Sequence, residues 1–168
     1  MITRLVMVMT ADGVIAKNSD HNPMDWTSAE DKALYQATSK KAGVTVMGQS
    51  TYDAIGSPLP GRLNVVLTKE ERKDIPNELE HMQGEPEKIL EHIKSRGFEM
   101  CLISGGTFVN SMFLEANLID EIQITLEPKL FGSGLRLFDK IDINKNLELI
   151  EFKKLNDNTI NLIYKVIH

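Results

Sequence analysis

The sequence predicts a single α/β domain over residues 1–168, in which a mainly parallel sheet carries helices on both faces. Three observations lead to this fold class. Apolar, strand-like runs alternate with helical segments as far as Ala116, which is the order of parallel strands joined by helices. Beyond Ala116, strands are separated by turns alone, which predicts an antiparallel end. The 168 residues, 42% of them hydrophobic, are enough for one core.

The first elements are marked by a turn and a helix start. Residues 2–10 alternate between apolar and β-branched types and end at the turn residues 11–13, which predicts a strand. After a polar loop, the residues T-S-A-E from Thr27 to Glu30 have the pattern of a capping box. In such a box the Thr27 hydroxyl accepts from the Glu30 amide, and the Glu30 carboxylate reaches back. We therefore predict a helix from this box to about Lys41.

Glycine and proline separate the later elements. The predicted order is a strand at 44–47, a helix from about residue 50, a proline-rich loop at 56–61, a strand at 62–68, a weak strand at 80–83, a helix at 86–96, a strand at 99–104 and a helix at 107–116. Then follow a strand at 119–126, an irregular segment at 128–134, and strands at 147–155 and 159–167 that form a hairpin.

Composition excludes several classes of function. No run of about 18 apolar residues is present, and the chain opens on a strand-like segment, so we expect a cytoplasmic protein without a membrane partner. The formal charge of −5 comes with no basic block, which argues against nucleic acid. The four histidines have no ligand spacing, so we expect no metal. Cys101 lies in an apolar run and is interpreted as a small core residue.

Two junctions have the same shape, a buried strand followed by glycine and a helix. They lie at residues 44–52 and 100–108. Each aims backbone amides and the positive end of a helix at one point, which suits a phosphate, and the two together suit a pyrophosphate. Thr68 and Lys69 follow a neighbouring strand and could meet the extra phosphate that distinguishes NADP from NAD. The alternatives are tight turns and a solvated lysine.

Asp31 is the acid with the strongest functional pattern. Its spacing to Leu34, Tyr35 and Thr38 places all four on one helix stripe, so the carboxylate faces inward. Burial of a carboxylate is costly without a partner and raises its pKa. Asp31 is therefore either a functional acid or a first-turn aspartate favoured by the helix dipole, whereas the capping box accounts for Glu30.

Arg62 is a candidate for anion binding, because it directly follows a Pro-Gly pair at the start of a strand. A guanidinium held there could bind a substrate carboxylate through two parallel hydrogen bonds. The alternative is a solvated arginine at a strand edge.

Taken together, these segments resemble dihydrofolate reductase. The elements that carry the resemblance are T10-A-D-G-V-I-A16, M24-D-W26 with Asp31 beyond it, V46-M-G-Q-S-T-Y-D-A-I-G56, P58-L-P-G-R-L-N-V-V-L-T68 and L102-I-S-G-G106. They cover most of residues 2–138, and the P-L-P-G-R and M-G-x-x-T-Y-x-x-I-G elements are the most specific. The resemblance implies an eight-stranded, mostly parallel sheet with an antiparallel C-terminal hairpin.

The activity that the resemblance implies is an NADPH-dependent reduction of 7,8-dihydrofolate to tetrahydrofolate, an oxidoreductase of tetrahydrofolate biosynthesis and one-carbon metabolism. Asp31 would hold the pterin and promote protonation of N5, and Thr125 would support Asp31. Trp26 would hold a water beside the pterin, and Met24 would belong to a closing loop. Arg62 would bind the carboxylate of the glutamate tail.

The remaining site residues follow from the same resemblance. Those implied for the substrate pocket are Val6, Met7, Tyr35, Ile55 and Leu59, with Ile103 between substrate and nicotinamide. Those implied for NADPH are Val8, Ile15, Gly48, Gln49, Ser50, Thr51, Thr68, Lys69, Ser104, Gly105, Gly106, Thr107 and Phe108.

Some positions depart from the family pattern. Gln49 and Thr107 stand where basic residues are frequent, Ser104 replaces a glycine, and Val109 replaces a common tyrosine. Other features resemble the reductase domain of riboflavin biosynthesis, which shares the fold and NADPH but reduces a 5-amino-6-ribosylamino-pyrimidine. That activity, or a related pteridine reductase, is the alternative, and a non-catalytic nucleotide-binding module is a second one. Either a monomer or a homodimer fits the sequence.

Overall fold

The computed structural model describes residues 1–139 and 141–168. The helices are α1 (Ala29–Ala42), α2 (Gln49–Ile55), α3 (Pro86–Ser95) and α4 (Thr107–Glu115). The strands are β1 (Ile2–Thr10), β2 (Val14–Ala16), β3 (Val44–Gly48), β4 (Leu63–Leu67), β5 (Leu79–Met82), β6 (Met100–Ile103), β7 (Glu121–Glu127), β8 (Leu135–Arg136), β9 (Asn146–Lys154) and β10 (Ile160–Ile167).

Eight of these strands form one sheet in the order β5-β4-β3-β6-β1-β7-β10-β9. The first six run parallel to one another, whereas β10 is antiparallel to both β7 and β9. The predicted α/β fold with an antiparallel C-terminal hairpin is thus confirmed. Because parallel strands end at the same edge, the segments that follow β1, β3 and β6 meet there, as expected for a ligand site in an open α/β sheet.

The main core lies where helices α3 and α4 cover one face of the sheet. Phe113 of α4 and Ile89 and Ile93 of α3 are fully buried there, together with Leu5 and Val46 from the central strands. Burial of this kind contributes about 1.5–3 kcal/mol for each large apolar side chain. Cys101 is also fully buried, which confirms its predicted place in the core.

A two-stranded ribbon was not predicted from the sequence. Strands β2 and β8 pair antiparallel beside the end of β1, and the Thr10 side chain receives a hydrogen bond from the Val14 amide at 3.0 Å. A short 3-10 helix (Pro23–Asp25) also forms in the loop before α1, with the Asn22 side chain accepting from the Met24 amide at 2.9 Å. Both elements are too short for a recognisable hydrophobic period.

The predicted capping box is wrong by one residue. Ser28 is the N-cap of α1, and its Oγ accepts from the Asp31 amide at 3.2 Å. The Glu30 carboxylate does not close a box; it accepts a hydrogen bond from the Asn156 side chain at 3.1 Å. Thr27 is buried, and its hydroxyl bonds to the Asp31 carboxylate instead. Because the Asp31 carboxylate engages the Thr27 hydroxyl, Ser28 caps the helix in place of Thr27.

We expect Ser28→Ala to lower the free energy of unfolding by about 1 kcal/mol, because one first-turn amide of α1 loses its acceptor. Urea unfolding measures this value. The matched control is Ser57→Ala in an exposed loop, for which a change within about 0.5 kcal/mol is expected. Equal unfolding midpoints for the two variants would contradict the assignment of the cap.

Candidate active site

A cavity of about 440 Å³ opens between α1, α2 and the ends of β1, β6 and β7. Its wall is largely apolar, and many residues that the sequence assigned to substrate or cofactor come together here. Those that line it are Val6, Met7, Val8, Ile15, Met24, Asp31, Tyr35, Ser50, Thr51, Ile55, Leu59, Ser104, Gly105, Gly106, Thr107, Phe108 and Thr125. This volume suits a small ring system with one end open to solvent.

Asp31 is the buried acid of this cavity, with only 8% of its surface exposed. Burial raises the pKa of the Asp31 carboxyl, and the negative charge of Glu127 raises it further. Hydrogen bonds with the hydroxyls of Thr125 and Thr27 act in the opposite direction without reversing the shift. A carboxyl group in this environment keeps a proton at a higher pH than usual and can exchange it with a ligand.

Thr125 is held in place by a chain of buried side chains. The Asn161 amide donates to the Thr125 hydroxyl oxygen at 2.9 Å, which leaves the hydroxyl proton free for Asp31. Gln123 in turn donates to Asn161 at 3.2 Å and accepts from Arg4 at 3.2 Å. Both Gln123 and Asn161 line the cavity. These two residues were missed from the sequence; their signal is a polar side chain at an inward position of a strand.

Glu127 is a second buried acid, below the cavity wall and 3% exposed. One carboxylate oxygen accepts from the Ser28 amide at 2.7 Å, and the other accepts from the Thr159 hydroxyl at 3.1 Å. Glu127 therefore connects the start of α1 with the C-terminal hairpin. The proximity of Glu127 is one of the causes that raise the pKa of the Asp31 carboxyl.

The two glycine junctions predicted to bind phosphate lie side by side. The Gly48 amide donates to the Gly105 carbonyl at 2.8 Å, and neither α2 nor α4 has a side-chain cap. A Cβ added at Gly48 would lie 3.2 Å from Val109, and one at Gly106 would lie 3.3 Å from Thr51. The first turn of α4 therefore has no side-chain cap and suits an anion, and a larger residue at Gly48 or Gly106 would require the neighbouring side chain to shift.

A wide groove of about 1410 Å³ continues from these junctions. Seven of the residues predicted for the cofactor line it, namely Gly48, Gln49, Ser50, Thr51, Thr68, Lys69 and Phe108. Phe108 lies between the cavity and the groove and is 76% exposed. The cavity offers an apolar end and the groove a polar one. Among the described residues that line the groove, Lys69 is the one cation, and the acids are Glu70, Glu85, Glu87, Glu115 and Asp139.

Ser104 departs from the family pattern, and its hydroxyl makes two contacts that tie the cavity wall together. Its hydroxyl accepts from the Tyr35 hydroxyl at 3.1 Å and lies 2.7 Å from the Thr45 hydroxyl. The side chain thereby joins α1, β3 and β6 at the cavity wall. A glycine at this position could not make either contact.

Arg62 does not line the cavity, although it was expected to bind a carboxylate of the substrate. Its guanidinium is buried and donates to the Gln36 side chain at 2.6 Å, to the Pro60 carbonyl at 3.0 and 3.2 Å, and to the Ser39 hydroxyl. Gln36, by contrast, is part of the cavity wall. A carboxylate that enters the cavity therefore meets Gln36 before it reaches Arg62.

Trp26 and Ile103 also lie off the cavity wall. Ile103 belongs to the main core because the alternation of β6 turns it to the opposite face from Leu102, and its expected place between substrate and nicotinamide stays a prediction. Trp26 packs against His21 and Phe131, with ring centroids 6.2 and 5.1 Å away. Its buried indole N–H has no protein acceptor within the described residues. No pattern in the sequence indicates that His21 and Phe131 pack around Trp26.

Comparison with known proteins decides the family. The family model for dihydrofolate reductase matches residues 1–165. The chain belongs to the dihydrofolate reductase family. The dihydrofolate reductase of Haemophilus influenzae is 34% identical over 70 residues, which cover 42% of this chain and 41% of that protein.

Solved structures related to this member of the dihydrofolate reductase family fall in two groups. A dihydrofolate reductase from Enterococcus faecalis, in complex with NADP(H), matches 98% of this chain and 96% of its own with a TM-score of 0.72 and 21% identity. A pyrimidine reductase-like protein from Corynebacterium diphtheriae matches 99% and 92% with a TM-score of 0.80 and 16% identity. These likenesses establish the shared fold.

Family membership and the reductases among its structural relatives support an oxidoreductase. In the part of the chain that the structure describes, no cluster of side chains could hold a metal ion. Within the same residues, every helix is too short or too polar to cross a bilayer.

Proposed function

We propose that this family member reduces 7,8-dihydrofolate to 5,6,7,8-tetrahydrofolate with NADPH, in the cytoplasm and in the service of one-carbon metabolism. The environment of Asp31 is the observation on which the proposal rests. Asp31 has a buried carboxyl with a raised pKa at the inner end of a largely apolar cavity, and a threonine hydroxyl fixes its orientation. This is the arrangement that a flat, hydrogen-bonding ring with one protonation step requires.

In this reaction NADPH supplies the hydride, and the protein supplies the proton and the geometry. The Asp31 carboxylate accepts hydrogen bonds from the amino group and ring nitrogen of the pterin, so that the ring is oriented against the cavity wall. Because its pKa is raised, the Asp31 carboxyl keeps a proton to a higher pH than usual; release of this proton toward the pterin N5, the nitrogen next to the carbon that receives the hydride, leaves Asp31 as the carboxylate that accepts these hydrogen bonds. The apolar wall excludes water, which strengthens these interactions.

The cofactor fits the second half of the site. First-turn amides of α4 and α2 receive the pyrophosphate, and Lys69 and Thr68 in the groove receive the additional phosphate of NADPH. The ammonium of Lys69 is the group that favours NADPH over NADH. Gln49 and Thr107 carry no charge. The preference for NADPH over NADH therefore depends on Lys69, without help from a basic residue at position 49 or 107.

The test is the loss of reduced-nicotinamide absorbance when purified protein is mixed with dihydrofolate and NADPH. Substrate-dependent oxidation is expected, and it should be slower with NADH. Cofactor binding without any oxidation would favour a nucleotide-binding module. Oxidation with a 5-amino-6-ribosylamino-pyrimidine, but not with dihydrofolate, would replace the proposed substrate.

A pyrimidine reductase is the second candidate, and two observations favour it. Arg62 donates to Gln36, Ser39 and Pro60 and does not itself line the cavity. In addition, the amides of Gln123 and Asn161 give the cavity a polar floor, which suits a substrate with more hydrogen-bonding groups than a pterin.

Variants of Arg62 and Gln36 separate the two candidates. If dihydrofolate is the substrate, its carboxylate takes the place of the Gln36 amide on Arg62. Arg62→Leu should then raise the KM for dihydrofolate roughly tenfold to a hundredfold with a much smaller change in kcat. Gln36→Ala, which removes the competitor, should leave this KM equal or lower.

The control for both variants is the NADPH dissociation constant, which stays constant in a folded protein because neither residue lines the cofactor groove. A dihydrofolate KM that Arg62→Leu leaves unchanged, with NADPH binding intact, would contradict a role for Arg62 in the folate site and favour the pyrimidine substrate.

A further inference from the structure

The outermost strand of the sheet, β9, is exposed along its whole length. It is paired with β10 on one side only, and all nine of its residues from Asn146 to Lys154 are exposed. Leu147, Leu149 and Phe152 are 43%, 54% and 60% exposed. An edge strand with unpaired backbone groups and large apolar side chains is a template for pairing with another chain.

The three apolar side chains lie on one face of the sheet. Leu147, Leu149 and Phe152 stand opposite residues 166, 164 and 162 of β10, which all point to the same face. The acids and Lys153 point to the other face, since they stand opposite residues 165, 163 and 161. The register shift leaves Ile150 without a partner between these two halves, which keeps the apolar residues on one face across the bulge.

The strand is complementary to itself when it is read in the opposite direction. In one antiparallel alignment with a second β9, Leu149 faces Phe152 and Glu148 faces Lys153, and the two residues of each pair point to the same face of the sheet. At the centre of this alignment the bulged Ile150 faces Glu151. A shift by two residues in one direction sets Glu148 against Glu151. A shift in the other direction sets Glu151 against Phe152, which point to opposite faces of the sheet, and takes Glu148 away from Lys153. Opposite charges and apolar pairs across strands are favourable, whereas like charges are not.

We propose that a second copy of this chain binds the outer edge of β9, antiparallel and about a twofold axis that passes between Ile150 and Glu151. The contact contains two Leu149–Phe152 pairs and two Glu148–Lys153 pairs, because an interface of this symmetry repeats each contact. Glu148 in the first half of β9 and Lys153 in the second half are complementary to the same two residues of an identical antiparallel strand, which favours a second copy as the occupant. The two sheets continue into one another through this edge.

The dimer would also steady the hairpin next to the active site. Strand β10 lies between β9 and β7, and it carries Asn161, which supports Thr125. A partner that orders β9 therefore acts on the side of the cavity that holds Asp31, although it contributes no residue to the wall.

Sedimentation equilibrium of the full chain tests the proposal through charge reversal. The protein is expected to dimerise, and Glu148→Lys or Lys153→Glu should each weaken the dimer roughly tenfold, because two attractive pairs become repulsive. The double variant Glu148→Lys/Lys153→Glu should restore the affinity. Phe152→Glu should abolish the dimer and leave a folded monomer, as judged by circular dichroism.

The matched control is Glu87→Lys, which replaces an exposed acid on α3, a helix distant from β9. It changes the net charge by the same amount as Glu148→Lys and should leave the dimer intact. A protein that is monomeric at all concentrations overturns the proposal. So does a dimer that is insensitive to Glu148→Lys, or one that the double variant fails to restore, because the alignment of the two strands is then different.

Discussion

Asp31→Asn is expected to lower the turnover of dihydrofolate at neutral pH by about two to four orders of magnitude. Asparagine keeps the size of the side chain and a hydrogen bond with Thr125, but it cannot hold the proton that the pterin needs. The raised pKa of Asp31 implies that wild-type activity declines as pH rises through that pKa and the protonated form is lost. Steady-state rates between pH 5 and 9 measure both effects, and the variant should lack this decline.

The same substitution should stabilise the folded protein at neutral pH. Because burial raises the pKa of Asp31 in the folded state, the unfolded chain binds the proton less tightly, and wild-type stability falls as pH rises from the ordinary carboxyl pKa through the raised one. Asparagine has no proton to lose there. Unchanged NADPH affinity and a higher melting temperature, together with lost turnover, would assign the defect to chemistry.

Asp25→Asn is the matched control for this experiment, since it removes an exposed acid from the short 3-10 helix that precedes α1. Its turnover should remain close to that of the wild type. Near-normal turnover by Asp31→Asn would contradict the assignment of Asp31 as the proton-promoting group.

Gly134→Ala should produce the largest loss of stability among small substitutions, about 3 kcal/mol. A Cβ at Gly134 would lie 2.3 Å from the carbonyl oxygen of Ala16 and 2.7 Å from Val14, and its φ of +143° is one that L residues rarely adopt. The β2–β8 ribbon would have to separate. Because Ile15 and Leu135 of this ribbon line the cavity, activity should fall together with the unfolding free energy measured in urea.

Gly132→Ala provides the comparison within the same segment. Gly132 also has a positive φ, of +74°, but an added Cβ meets nothing within 4 Å. Only the backbone cost of about 1 kcal/mol is expected. If the two variants were equally stable, the close packing of the ribbon against the loop after β2 would be ruled out as the cause.

The sheet could be predicted from the sequence because its strands are long apolar runs separated by glycine and proline. The β2–β8 ribbon could not, since strands of two or three residues have no period to detect. The start of α1 was predicted within one residue, but Thr27 and Ser28 are equally good caps by type. The Asp31 carboxylate decides between them, because it occupies the Thr27 hydroxyl.

The sequence predicted those site residues whose side-chain direction follows from the spacing within one helix or strand. The helix stripe was sufficient for Asp31 and Tyr35, both of which line the cavity. Gln123 and Asn161 were missed because the face on which they lie depends on how β10 pairs with β7, which no local pattern contains. The direction of Arg62 was likewise unpredictable, since Gln36 and Ser39 reach it from a different element.

The bonds from Thr159 to Glu127 and from Asn161 to Thr125 have a consequence for the order in which the site is completed. A ribosome makes the chain from its N-terminus, so Asp31 leaves it long before either supporting residue exists. The acid and its cavity can close only after β10 has entered the sheet between β7 and β9. The proposed proton site would therefore be complete only after β10 has been made and has joined the sheet, well after Asp31 itself has left the ribosome.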